Sequence, residues 1–502
     1  MDHLPLLSII LFTPIIGAIF IMAMPKDQDR AIKYIAAVST FISLALSLLV
    51  FITYDRSAGG MQFIEKIPWI SDLGVSYALG VDGISMPLLL LTNLIGFSAV
   101  YASWRVKEQA KEFFALLLIL ITGVMGTFVA TDLFIFFMFY EVVVIPIYLL
   151  VIMWGSTKRV TKEYAGMKLT IYLLIGSAFL LVGLITLFIT AKGSLGFPTM
   201  DIATLATVHY PVGFQIFVYA LMAFGFGTLL SMFPFHAWSP DGYAGAPTAV
   251  SMIHAGVLKK IGGYGLIRIG LFILPAGAKF IAPIIAILAL GNVVYAAFIC
   301  LSQRDLKYIV GYSSVSHMGY VLIGIAALNV ISLNGAIMMM FAHGVMAALF
   351  FSMIGNLYEK SHTRNVDDFG GLAHQMPRLA VGFMLAGLAS LGLPGTVNFI
   401  GEFTIFVGAF SIYRVVSIIA ITGIILTAVY ILRTMADLLY GPRKEQWDHL
   451  EDLKGPEMVP LIVLGTAILV GGIFPMTVMD LISSGVTGLI AQLGTIQIGG
   501  IF

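Results

Sequence analysis

Long apolar runs alternate with short polar connections along the whole chain. Fourteen runs are long enough to cross a bilayer, at 4–24, 31–53, 80–103, 112–130, 132–153, 166–190, 210–233, 245–272, 275–301, 307–328, 334–356, 378–408, 413–440 and 458–480. A hydrocarbon core about 30 Å thick takes about 20 helical residues to span, so each run predicts a transmembrane helix. The runs 245–272 and 378–408 contain Gly or Pro and are expected to be discontinuous. Two interruptions stand out, "SMFPFHAWSPDGYAGAPTA" from Ser231 and "LGLPGTVNFIGEF" from Leu391. Paired interruptions in the two halves of an apolar chain point to inverted repeats whose broken helices meet an ion path near mid-membrane. The pattern predicts an all-α polytopic membrane protein, one integral membrane domain over residues 1–502.

Composition agrees. The chain is 59% hydrophobic and 11% charged, against about 25% charged in a soluble domain, and its mean hydropathy is +1.00. No polar connection is long enough for a soluble domain. Residues 1–3 lack a positive n-region, so the first run reads as a membrane helix and not a cleaved signal. The single cysteine, Cys300, excludes a disulfide framework and a multi-cysteine metal or iron–sulfur site on this chain. A net charge of +1 argues against a nucleic-acid partner.

Of the 27 Lys and Arg residues, 17 fall in connections after odd-numbered runs, 5 after even-numbered runs and 5 within or at the ends of runs. By the positive-inside rule this puts both termini outside a bacterial or archaeal cytoplasmic membrane. Trp69, Trp104, Trp154, Trp238 and Trp447 lie near predicted span ends, as an aromatic belt would place them.

Ionisable groups at a helix centre cost about 2.5–3.5 kcal/mol each on insertion scales. The chain nevertheless keeps Glu141, Lys168, His254, Lys259, Lys260, His317, His343 and Glu402 within or beside its spans. Each alone has a structural reading: Lys168 can snorkel to the interface, and a lone histidine can be a satisfied core group. Arg268 and Arg433 read as interfacial or paired. Together, Glu, Lys and His in several helices fit a buried proton or ion relay. Lys259 and Lys260 cannot share a helical face, so one faces the path and the other needs another partner. Phosphate loops, CxxC, HExxH and nucleophile elbows are all missing from the sequence. His317 and His343 leave bis-histidine haem ligation as an alternative that nothing else favours, so no cofactor and no metal are expected on this chain.

The motifs "LGVDGISMPLLLLTN" (79–93), "FIFFMFYEVVVIPIYLL" (134–150), "FPFHAWSPDGYAGAPTAVSM" (233–252), "GVLKKIGGYGLIRI" (256–269), "DLKYIVGYSSVSHMGYV" (305–321), "NGAIMMMFAHGVMAALFF" (334–351), "TRNVDDFGGL" (363–372) and "GLPGTVNFIGEF" (392–403) span nearly the whole chain. In them the sequence resembles the proton-translocating antiporter-like subunits of respiratory complex I, and among these the M-type (chain 4) subunits of NADH:quinone oxidoreductase. Subunits of Mrp-type antiporters and membrane-bound hydrogenases are related. The resemblance implies two inverted five-helix repeats, here 112–272 and 275–440, with a tail at 481–502.

It also implies a mid-membrane polar axis. By motif, Glu141 matches its first glutamate, Lys260 its second lysine, His317 and His343 its histidines, and Glu402 its final acid. Arg268 and Lys307 match basic positions of less defined role. The expected partners are L-like and N-like antiporter subunits, with NADH and quinone handled elsewhere in the complex. The rivals are a subunit of an Mrp-type Na⁺/H⁺ antiporter or of a hydrogenase, a stand-alone antiporter and a non-pumping homologue. One departure matters: the lysine that the family carries five residues before the Pro of Pro-x-His-x-Trp is Leu229 here. Lys259 or His254 is expected to stand in for it; otherwise this copy is a weak pump or a spacer.

Overall fold

The structure, a computed structural model, describes residues 4–494. Twelve helices among the described residues are long and apolar enough to cross a membrane. Residues 248–273 and the pair Pro377–Ser390 and Val397–Phe410 supply two further crossings, so every predicted run coincides with a helical element. The helices Leu306–Ala326 and Val330–Ser361 are the most enclosed and form the centre of the bundle.

One of the expected discontinuities is absent. The run 245–272 is a continuous helix from Thr248 to residue 273, with π-helical stretches at His254–Leu258 and Leu266–Leu271. Its glycines permit close packing instead of breaking the helix: a methyl at Gly262 would overlap Phe226 O, and one at Gly265 would overlap the Phe226 ring. The first break falls in the interruption from Ser231, as expected, between Val212–Leu229 and Trp238–Gly245, where Pro234 has no N–H to donate. The second falls between Ser390 and Val397, as expected, around Pro394.

A β-hairpin, Gln62–Ile70 paired antiparallel with Val75–Val81, was not foreseen in the all-helical reading. It takes the first residues of the run 80–103. The following helix begins at Ser85, because Asp82 accepts hydrogen bonds from the Ile84 and Ser85 backbone N–H groups. The tail from 481 is helical within Met476–Gly494; residues 495–502 of the predicted tail lie outside the described residues, as do residues 1–3.

The lysine-rich connections meet one another on one face. Lys158 Nζ is 2.9 Å from His362 O, Arg159 donates to Gln303 Oε1 at 2.8 Å, and Arg304 pairs with Asp437 at 3.1 Å. The hairpin lies on the opposite face, where Lys66 pairs with Asp201 at 3.2 Å. Trp238 departs from the aromatic belt: it is fully buried at the first break and donates to Thr228 O.

Candidate functional site: a buried chain of ionisable groups

Lys259 and Lys260 are both completely buried. Because neighbouring helical residues point about 100° apart, they meet different helices. Lys260 Nζ lies 2.9 Å from His343 Nδ1 on Val330–Ser361 and also contacts Ala255 O. Lys259 Nζ lies 3.2 Å from Ser239 Oγ, just past the first break, and 3.2 Å from Ser314 Oγ on Leu306–Ala326. It also sits 5.2 Å from the centroid of the Tyr243 ring.

From His343 the string continues. Its ring centroid is 5.4 Å from that of His317. His317 Nδ1 is 2.7 Å from Ser313 O, and its Nε2 is 3.1 Å from Ser390 O and 3.7 Å from Glu402 Oε1. Two carbonyl acceptors on one imidazole are both satisfied only when each ring nitrogen carries a hydrogen. Glu402 offers a further acceptor on the Nε2 side. Tyr430 OH, 2.9 Å from Ser313 Oγ, completes the polar surround. With both nitrogens of His317 and Nδ1 of His343 engaged by protein atoms, the pair does not fit bis-imidazole haem ligation.

Two helix breaks bring these groups together. At the first, Asn292 Oδ1 accepts from the Phe233 N–H at 2.6 Å, and its Nδ2 donates to Ser231 O at 2.7 Å and Val315 O at 3.2 Å. One side chain thus satisfies backbone groups that the break frees and ties the break to the His317 helix. At the second, Gly392 has φ +66°, and a methyl there would lie 2.5 Å from Glu402 Oε2. Gly392→Ala is therefore expected to lose about 1–2 kcal/mol to left-handed strain and to push Glu402 from His317. A lower melting temperature of the detergent-solubilised protein, together with slower proton transport, would show both effects.

The structure thus unites Lys259, Lys260, His343, His317 and Glu402. The other three predicted residues form no hydrogen bond with that string. Lys168 forms an ion pair with Asp241 at 2.7 Å, and Asp241 also accepts from Tyr308 OH at 2.8 Å. His254 has no hydrogen-bond partner on either ring nitrogen; its ring is stacked 5.0 Å from Trp238 and set edge-on 5.0 Å from Tyr243. Glu141 Oε1 is likewise buried without a partner. The hydrogen bonds of Lys259 run to Ser239 and Ser314, and none of those formed by Lys259 or Lys260 reaches Glu141. Leu229 is buried at the end of its helix. Arg268 pairs with Asp82, as an interfacial or paired residue would.

Sequence reading missed Ser239, Ser314, Ser390 and Asp241, the groups that give the lysines and histidines their partners. The serines look like ordinary small residues in apolar helices, and Asp241 is 73 residues from Lys168.

Residues 130–427 match the family model described as NADH:quinone oxidoreductase/Mrp antiporter, TM. NAD(P)H-quinone oxidoreductase chain 4 1 of a Synechococcus species is 39% identical over 482 residues, 94% of this chain and 90% of that protein. Chain 4 2 of Microcystis aeruginosa is 38% identical over 88% of this chain and 80% of its own length. In fold, the chain matches respiratory complex I from Thermus thermophilus with bound NADH (TM-score 0.87, 24% identity, 96% of this chain and 99% of that one). It also matches the Mrp complex from a Dietzia species (TM-score 0.84, 19% identity, 97% and 98%).

Proposed function

Because the chain belongs to the NADH:quinone oxidoreductase/Mrp antiporter family, we propose that it is a proton-translocating membrane subunit of a respiratory NADH:quinone oxidoreductase. The observation that carries the reading is the buried string Lys260–His343–His317–Glu402, whose polar groups lie within 2.9 to 3.7 Å of one another at its two ends. A neutral lipid anchor or spacer has no use for four ionisable groups that each cost free energy to bury. Lysine, histidine and glutamate in sequence offer a proton successive resting places, and loss or gain of one proton alters the charge felt by the next.

Electron transfer from NADH to quinone takes place on other subunits, and its charge changes drive the string. L-like and N-like antiporter subunits are its membrane neighbours. Both termini lie outside, the lysine-rich face lies inside, and protons move from inside to outside. No cofactor resides on this chain. Lys259, bonded to Ser239 just past the first break, stands in for the lysine absent at Leu229; Glu141 and Lys168 flank the string at its margins.

An antiporter subunit of the Mrp type would use similar groups, so the partners decide. Affinity purification through a tag on this chain is expected to bring down an assembly that oxidises NADH and reduces a soluble quinone analogue. An assembly that exchanges Na⁺ for H⁺ and leaves NADH unoxidised would overturn the proposal in favour of that second reading.

A further inference from the structure

The lysine-rich face opens into a cleft of about 320 Å³ in the middle of the bundle. Its walls come from the ends of six helices and the connections beside them and carry Lys107, Glu108, Thr248, Glu359 and Arg364, with Lys307 at the buried side. By motif Lys307 matches a basic position without a defined role. In the structure it is 3% exposed, and its Nζ donates to Ala246 O at 2.6 Å and Ser251 Oγ at 3.4 Å. Arg364, beside it, is already paired with Asp305 at 3.4 Å and bonded to Ala244 O at 2.8 Å. The Lys307 ammonium has only neutral hydrogen-bond partners, an expensive arrangement for a side chain whose position serves packing alone.

Beyond Ser251 the polar groups continue inward. Ser251 is fully buried and donates to Tyr243 O at 3.0 Å. One turn further on the same helix lies His254, buried with both ring nitrogens free of protein partners and its ring against Tyr243. The π-helical stretch His254–Leu258 follows at once. A π-turn takes about one residue more than an α-turn, which swings Lys259 back toward the His254 side, and Lys259 Nζ lies over the same Tyr243 ring. Ser251, His254 and Lys259 thus all meet Tyr243, and Lys307 joins them from the cleft through Ser251.

We infer that the cleft is an aqueous inlet and that Lys307 is the first buried group to take a proton from it, passing it by Ser251 and His254 to Lys259. Glu108 and Glu359 at the mouth collect protons from the aqueous phase. The inference rests on the proposed pumping role and adds to it the opening and the first acceptor. Water reaches Lys307 through the cleft, so small solutes can reach it too.

Two measurements on the intact complex in sealed vesicles test it. Thr248→Cys on the cleft wall is expected to react with a membrane-impermeant charged thiol reagent added at the lysine-rich face only, detected by mass on this chain; buried Cys300 stays unmodified. Lys307→Ala is expected to lower the proton-to-electron ratio several-fold, with partial recovery on adding imidazole at that face, and Lys307→Arg to fall between. An unreactive Thr248→Cys, or a normal ratio in Lys307→Ala, overturns the inlet. Recovery in Lys307→Arg without any response of Lys307→Ala to imidazole also overturns it, because the residue is then structural. If Lys260→Met keeps a normal ratio, the underlying pumping role fails instead, whatever the labelling shows.

Discussion

Replacing Lys260 by methionine leaves the protein folded and its complex assembled, yet lowers proton transport roughly tenfold or more, the scale on which a positioned proton carrier acts. Methionine keeps the length of the side chain and removes an ammonium group that is buried in full among helices. Exchanging a buried charge for an apolar group of similar volume is often neutral or stabilising. The melting temperature of the solubilised complex should therefore stay level or rise. His343 Nδ1 loses its 2.9 Å partner, and the string is cut between the two lysines and the histidines. A large fall in melting temperature alongside the loss of transport would make Lys260 a structural residue.

Arg268→Met should do the reverse and strike stability first. Arg268 and Asp82 form a buried ion pair joining the helix 248–273 to the start of Ser85–Ala102. Removing one partner leaves an uncompensated buried charge, at a cost of about 3–5 kcal/mol. Asp82 must also keep its cap on the Ile84 and Ser85 N–H groups. Asp82→Asn retains an acceptor for that cap and abolishes the charge, so the double variant Asp82→Asn/Arg268→Met should recover much of the loss. Thermal unfolding of wild type, single and double variants checks this. Equal losses in the single and double variants would refute the ion-pair account.

The crossings were legible in the sequence because apolar length alone sets them, and the second break was legible because Pro394 and Gly392 punctuate it. The first break was legible in the same way, in the segment from Ser231 that holds Pro234, whereas the run 245–272 was expected to be discontinuous for its Gly and Pro, when Gly262 and Gly265 make room for Phe226. The hairpin was hidden because Val75–Val81 is as apolar as the helix after it. Within the site, Lys260, His317, His343 and Glu402 announced themselves as charges in the wrong solvent. Their adjacency could not be read, since His343 is 83 residues from Lys260 and the helices that join them are set by packing. For Lys168 the sequence left a relay and an interfacial position open, and its partner Asp241, 73 residues away, could not be read.

The central claim is that protons cross the membrane through the string that starts at Lys260. Simultaneous recording of proton uptake and NADH oxidation in sealed vesicles, wild type against Lys260→Met, tests it most directly. The account predicts a clear fall in protons moved per electron pair in the variant while NADH oxidation continues. An unchanged ratio would contradict it.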